Sequence, residues 1–505
     1  MKNEEKTVSQ SKMEGSLEFP SLQGNQHIKT DVVVVGGGIA GLSVAYTLTR
    51  SGRKCVVVEQ SKIGMGATGL SHAHLADALD GRYFQLQKIY GTENTKLAAQ
   101  SHTRAIDAIE EIIERENIEC DFKRLDGYLS LHPSDRIKTL RQEFEASRAS
   151  GLYTELVSHA PGIKLRERIS LKFPGQAQFH TLQYLKGLAR SIIKYGGEIY
   201  TDTTVLDIDS EGAITTGGRI SADHIVLATS KPLDQTVRVH VRQLAYRSYV
   251  IGATIDKGSI PPALWWDTGD HHSVRSNTPY HYARIQPLNE HSDLLVCGGE
   301  DHKTETAETN SAEEADRFAY LEAWAYDHFP ALKEIVYRWS GQLTEPVDSL
   351  GYIGRNPGDS NVYIVSGDAG NGLTYAAIAG ILIPDLIMKR KNPWEDLYNP
   401  SRTPVQVLGE FLSDSNDMSL QYLDFRMPGD EEPEHTLYNN DGAVIRMHGR
   451  RIAVYRDTKG DLHAHLASCP HLGCGLRWST FEKSFSCPCY GKKSLERLSV
   501  PSLKR

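Results

Sequence analysis

Asp31-Val32-Val33-Val34-Val35-Gly36-Gly37-Gly38-Ile39-Ala40-Gly41 is the stretch whose reading decides the fold. Asp31 to Val35 is a short β-branched run, the pattern of a parallel strand buried on both faces. Leu42, Ala45 and Leu48 then fall at helical spacing, and a second strand, Cys55 to Val58, ends in Glu59. Strand, glycine turn, helix, strand and terminal acid make a complete β-α-β unit. Gly36 permits the tight turn, and Gly38 removes the side chain that would block a pyrophosphate. Gly41 lets helix and strand pack, while the N-terminal N–H groups of the helix face the phosphates. Glu59 is placed to accept hydrogen bonds from ribose hydroxyls and to repel a 2′-phosphate. These residues predict a dinucleotide, without choosing between FAD and NAD.

Around this unit the chain is ordinary in bulk. It has 505 residues, 39% of them hydrophobic and 24% charged, enough for two or three domains. The net charge of −8 and the absence of a Lys/Arg-rich run argue against nucleic acid. No window approaches the ~18 consecutive apolar residues of a membrane span. The best, Ile378 to Met388, is broken by Gly380, Pro384 and Asp385. The first thirty residues are polar, without the apolar core of a secretory signal, and read as a disordered tail. A cytoplasmic location follows by default.

The segments that follow favour FAD. Ile63-Gly64-Met65-Gly66-Ala67-Thr68-Gly69 comes straight after the acidic strand end, with small residues that let a backbone run close to a flat cofactor. Gly351-Tyr352-Ile353-Gly354 and the run Val362 to Thr374 read as a strand, a glycine-rich turn and a helix start, able to aim N–H groups at the electron-rich end of a flavin. Ile106, Ile109, Ile112 and Ile113 form a helical stripe read as core. Tyr246 to Ala253 and Leu294 to Cys297 read as strands of an antiparallel sheet.

Together these features resemble the D-amino-acid-oxidase-like FAD family, which includes glycine and sarcosine oxidases, over roughly residues 30 to 400. Phe179-His180 to Val205 looks like its helix and strand leading to an adenine contact, and Ile225 to Ser230 like its short strand beneath the cofactor. Ala73-His74-Leu75, Ala78-Leu79-Asp80, Pro279 to Arg284, Gly298 to His302 and Trp339-Ser340-Gly341-Gln342 resemble the subgroup fused to a C-terminal Rieske domain. The fold implied is α/β. It joins a discontinuous Rossmann-like FAD domain (30–115, 175–235 and 340–400) to an antiparallel-sheet substrate domain (116–174 and 236–339). A tail over 1–29 precedes them; a linker over 401–435 and a small, incomplete all-β Rieske-like module over 436–505 follow.

Cofactor contacts implied are Gly36, Gly38, Ile39, Ala40, Gly41, Glu59, Gln60, Gly66, Ala67, Thr68, Val205, Ala228, Gly354, Gly370, Gly372, Leu373 and Thr374. Flavin enzymes of this kind take a hydride from a carbon next to an amine nitrogen, and the protein supplies orientation. The residues expected to face the flavin are His74, Tyr249, His281, Tyr282, Arg284 and His302, each also readable as a hydrogen-bonded scaffold residue. His72 and His74 lack an evident third ligand for a metal. Amino-acid oxidases of the family often place a carboxylate-gripping arginine after a Trp-x-Gly run. Leu343 stands there, so a simple amino acid is a less secure substrate, and Arg284 is the substitute considered. An NAD-dependent dehydrogenase, or a flavin-binding protein with lost catalysis, is the alternative.

The C-terminal stretch holds Cys469-Pro470-His471-Leu472-Gly473-Cys474 and Cys487-Pro488-Cys489-Tyr490-Gly491. It resembles a Rieske domain, in which two cysteines hold one iron and two histidines the other. The resemblance implies Cys469, His471 and Cys487 as ligands, and Cys474 with Cys489 as a disulfide. The fourth ligand position is Tyr490. A phenol of pKa about 10 is a hard ligand beside soft sulfides, which argues against a stable [2Fe-2S] cluster. Zinc held by Cys469, Cys474, Cys487 and either Cys489 or His471, or a metal-free vestige, remain alternatives. Electrons would leave through a cluster to a carrier protein, or directly to oxygen or a small acceptor.

Overall fold

The computed structural model describes residues 18–165, 169–229, 242–272, 280–303, 311–402, 437–447, 450–467, 476–479, 483–486 and 493–494. The valine run lies in strand Gln26–Val35, flanked in parallel by Cys55–Val58 on one side and Gly218–Leu227 on the other. Val32, Val33 and Val34 are fully buried, as expected of a strand covered on both faces. Outward from this centre the sheet adds Glu198–Tyr200 beyond the second strand, and Val362–Ser366 and Tyr352–Arg355 beyond Gly218–Leu227. Three stretches far apart in sequence thus build one sheet.

Helix Ile39–Arg50 leaves the glycine turn and packs on helix Gly372–Ile387. Their contact is close: a Cβ on Gly380 would lie 2.8 Å from the Ser43 Cβ and 3.1 Å from its carbonyl. The chain is bound to this domain before residue 30. The Thr201 N–H donates to Pro20 O at 3.0 Å, Leu22 N–H donates to Thr203 Oγ1 at 3.0 Å, and Leu22 is buried. The polar composition read as a tail hides Leu22 and Phe19, whose side chains pack against the cores of the first domain.

A second, nine-stranded sheet runs Glu334–Pro346, Gln243–Asp256, Ser292–Lys303, His281–Pro287, Leu264–Asp267, Lys123–Ser130, Ser170–Gln178 and His74–Leu75, with Glu155–Val157 pairing Ser170–Gln178. It is antiparallel except where Leu264–Asp267 meets Lys123–Ser130. Helix Ser311–His328 covers its outer face, where Tyr249, Ile251, Cys297, Phe318 and Phe329 form a separate core. Its inner face looks toward the first domain. Ile106 and Ile109 are buried in helix Tyr83–Glu116, with Ile112 and Ile113 packed beside them.

Near the C-terminus, Asp441–Met447, Arg450–Arg456 and Leu462–Leu466 form a three-stranded antiparallel sheet, and Arg477–Ser479, Ser484–Ser486 and Lys493–Ser494 form another. Cys469, His471, Cys474, Cys487, Cys489 and Tyr490 lie outside the described residues.

Candidate active site

A cavity of about 660 Å³ separates the two larger sheets. Its first end is the glycine turn. Gly36 has φ +113°, and a Cβ there would lie 2.4 Å from Ala228 O. A Cβ on Gly41 would lie 2.0 Å from Gly36 O, so this glycine serves helix–strand packing and does not line the space. Gly38, Ile39 and Ala40 do line it. Gly38 gives helix Ile39–Arg50 no cap of its own; the Ile39 N–H donates to Thr68 Oγ1 at 3.1 Å, and with no acid in the first turn the positive end stays toward the cavity. Glu59 lines the same end, its Oε2 accepting from Gly37 N–H at 2.7 Å and its Oε1 from Ser61 N–H at 2.9 Å. The acid therefore also pins the first glycine turn to the end of the second strand. Gln60, Gly66, Ala67, Thr68, Val205 and Ala228 complete this wall.

At the middle of the cavity lies the second glycine turn. Gly370, Gly372 and Leu373 line it, and helix Gly372–Ile387 starts without a side-chain cap. Thr374 stands one layer behind, accepting from His102 Nδ1 at 2.8 Å and donating to Asn371 O at 3.0 Å. Gly354 is remote from the cavity and packs on Pro400.

The far end is polar and aromatic: His72, His74, Tyr280, Tyr282, Arg247 and Gln342 line it. Strand alternation sorts the candidates. Tyr282 faces the cavity with Tyr280, and Ser248 and Tyr282 hydroxyls meet at 3.1 Å. His281, between them, faces the other side, where Nδ1 lies 2.9 Å from Asp267 Oδ2 and Nε2 3.3 Å from Glu300 Oε1. Burial alone would depress this imidazole, but the two carboxylates raise its pKa to about 9, and Trp324 stacks on it. Tyr249 and His302 stack on each other on that same outer face, against Phe318. Arg284 shares the inner face with Tyr282 but is taken up by His72 O, to which its Nε donates, and by Gln286 Oε1 at 2.8 Å.

Arg247, Ser248 and Gln342 line the site without having been singled out as site residues from the sequence. A β-bulge between Arg247 and Tyr249 shifts the strand register and turns Arg247 and Ser248 inward together. Period-two counting points to the wrong side chains there. Gln342 pairs with Arg247 across the sheet, and neither atom of its buried amide has a hydrogen-bond partner among the described residues. Behind this wall, Asp301 is buried and Glu345 half-buried. Desolvation raises Asp301 to about 7, and desolvation with Asp301, Asp80 and Asp368 raises Glu345 to about 8. Burial also lifts the Tyr280 and Tyr282 phenols well above their usual range, so both remain donors.

With this geometry in place, comparison with known proteins is decisive. Residues 31–386 match the FAD dependent oxidoreductase (DAO) family. The chain belongs to that family. It carries in addition a C-terminal Rieske domain, matched over residues 431–493. A Bacillus subtilis (strain 168) protein named "Putative Rieske 2Fe-2S iron-sulfur protein YhfW" is 29% identical over 96% of this chain and 94% of its own. The gamma-glutamylputrescine oxidoreductase of Escherichia coli (strain K12) is 27% identical over 72% of this chain and 84% of its own. Among solved structures, the glycine oxidase of Geobacillus kaustophilus superposes with a TM-score of 0.58 at 20% identity, over 74% of this chain and 99% of its own.

The protein is thus an FAD-dependent oxidoreductase, and the cavity fits that cofactor. Two helix N-termini without an acid in the first turn and the side-chain-free Gly36 and Gly38 suit a pyrophosphate, and Glu59 suits the ribose that follows it. No helix among the described residues is long and apolar enough to cross a membrane.

Proposed function

We propose that this protein oxidises a small amine or amino-acid-like substrate at the carbon next to nitrogen, with FAD as hydride acceptor. The observation that carries the reading is the polar far end of the cavity. There the amide of Gln342, without a hydrogen-bond partner among the described residues, and the side chains of His72, Tyr282 and Arg247 surround a space continuous with the dinucleotide cradle. The flavin supplies the two-electron acceptor; this chain's residues bind and orient what is oxidised. Tyr280, whose hydroxyl donates to Asp80 Oδ2 at 3.3 Å, and Tyr282 wall the chamber, while Gln342 offers one acceptor and two donors. Arg247, held on the cavity wall by its Nη1 donating to Ser340 Oγ at 3.0 Å, is the guanidinium that would meet a substrate carboxylate. Arg284 instead positions the His72 loop. The glycine oxidase and gamma-glutamylputrescine oxidoreductase named above support a nitrogen-bearing substrate.

Tyr490 in place of a fourth ligand supports direct reoxidation of the flavin by oxygen or a small carrier rather than electron transfer through a Rieske centre. Anaerobic titration of the purified flavoprotein with amines and amino acids tests the main reading. Loss of the oxidised flavin absorbance is expected with at least one class. If no member of either class reduces a flavin that dithionite does reduce, the reading fails. Arg247→Met should raise the concentration needed by amino acids at least about tenfold and leave carboxylate-free amines unchanged.

A further inference from the structure

The two histidines at the far end of the cavity constrain each other's protons. His74 Nε2 lies 3.1 Å from the Ala283 carbonyl, which can only accept. His74 Nε2 therefore carries its hydrogen. Burial, together with His72 and Arg284, keeps the pKa of this imidazole well below the usual range. A neutral ring with Nε2–H has a bare Nδ1. That atom lies 2.7 Å from His72 Nδ1, which must then be the donor. For His74 to donate from Nδ1 instead, its Nε2 would face a carbonyl oxygen without a hydrogen, or carry a second proton that burial opposes. The chain of donors ends at His72, whose Nε2 is left as a bare acceptor. His72 lines the cavity, and its ring lies against Tyr282 with centroids 4.2 Å apart.

We propose that His72 Nε2 is the acceptor for the substrate's amine N–H, its tautomer set by His74 and the Ala283 carbonyl. The inference rests on the amine reading above and deepens it. A bare ring nitrogen that takes up no proton cannot serve as a base for an ammonium group. It can accept a hydrogen bond from the neutral amine, the form that gives up a hydride. Burial and Arg284 hold its pKa at about 3, so it stays an acceptor across the working range. The arrangement orients the nitrogen and selects substrates that bear an N–H.

The tautomers can be read without turnover. In protein labelled with ¹⁵N-histidine, two-bond ¹H–¹⁵N correlation spectra assigned with His72→Gln and His74→Gln should show His72 as the Nδ1–H tautomer and His74 as Nε2–H. A His72 signal from the Nε2–H tautomer or from an imidazolium overturns the proposal.

Binding gives the second arm, followed by perturbation of the bound flavin's spectrum. The probes are sarcosine against methylthioacetate, and N-methylpropylamine against methyl propyl sulfide; in each sulfide, sulfur replaces the N–H. His72→Phe should weaken the amine of the recognised pair about tenfold and its sulfide by less than about twofold. His72→Gln, which keeps an acceptor oxygen, should recover most of the loss. Equal weakening of amine and sulfide overturns the acceptor role. If the expected tautomers are present but no amine perturbs the flavin, the amine reading falls and takes the acceptor role with it.

Discussion

Replacing Gly41 by alanine sets two known effects against each other. Alanine favours helix over glycine by roughly 1 kcal/mol, and Gly41 lies within helix Ile39–Arg50. Against that, the new Cβ would stand 2.0 Å from Gly36 O and 3.2 Å from the Gly36 carbonyl carbon. Both are backbone atoms of the turn, so no side chain can rotate away, and helix and strand must part by about 1 Å to restore ordinary contact. Overpacking of this kind costs about 3 kcal/mol, which leaves a net loss of about 2 kcal/mol. Melting of the apoprotein should fall by a few degrees, and the displaced turn should also lose FAD. Gly66→Ala is the control. Nothing lies within 4 Å of its added Cβ, and it keeps an ordinary φ of −86°, yet it lines the cavity. It should leave apoprotein melting unchanged and weaken only the cofactor. Equal melting of Gly41→Ala and wild type in the apo form, with undiminished flavin content, would refute the packing role assigned to Gly41.

Asp348 and Arg402 form a buried ion pair, with side chains 1% and 8% exposed and both carboxylate oxygens engaged at 2.9 Å. Asp348→Asn strands the guanidinium and should cost about 3–5 kcal/mol in denaturant unfolding of the main body. His281 has a folded pKa of about 9, above the ordinary imidazole value of about 6.5. Its contribution to stability is therefore complete below about pH 6.5 and lost as pH rises through about 9, so wild-type melting should decline over that window more steeply than that of His281→Gln. Tyr490→His restores a second nitrogen ligand; iron and labile sulfide per chain should rise over wild type, with a Rieske-type EPR signal on reduction.

What could be read in the sequence was local. The β-α-β unit, the acid at its end and the second glycine turn each occupy a few consecutive residues whose spacing carries their chemistry, and the structure gathers them around one cavity. Gly354 shows the limit: it sits in a glycine-rich run, but its strand pairs antiparallel at the sheet edge and turns the residue toward Pro400. The far end of the cavity depends on contacts between distant segments. Arg284 meets a loop 212 residues earlier, which no spacing reveals. The bulge beside Tyr249 breaks the strand's alternation, and no spacing in the run 246–253 announces it. His72 was noticed only as half of an incomplete metal site, because its meaning lies in the carbonyl of Ala283 behind its neighbour.

The contact between Gly380 and Ser43 joins the two helices that start at the glycine turns, at a point away from either end of the cofactor cradle. They behave as the arms of a caliper riveted at that contact: the gap between the tips is set before any ligand arrives. A dinucleotide of matching length therefore meets jaws already open to its span, and little ordering free energy is lost on closure. A single methyl at position 380 would spread the arms and loosen the grip on a molecule that the rivet never touches.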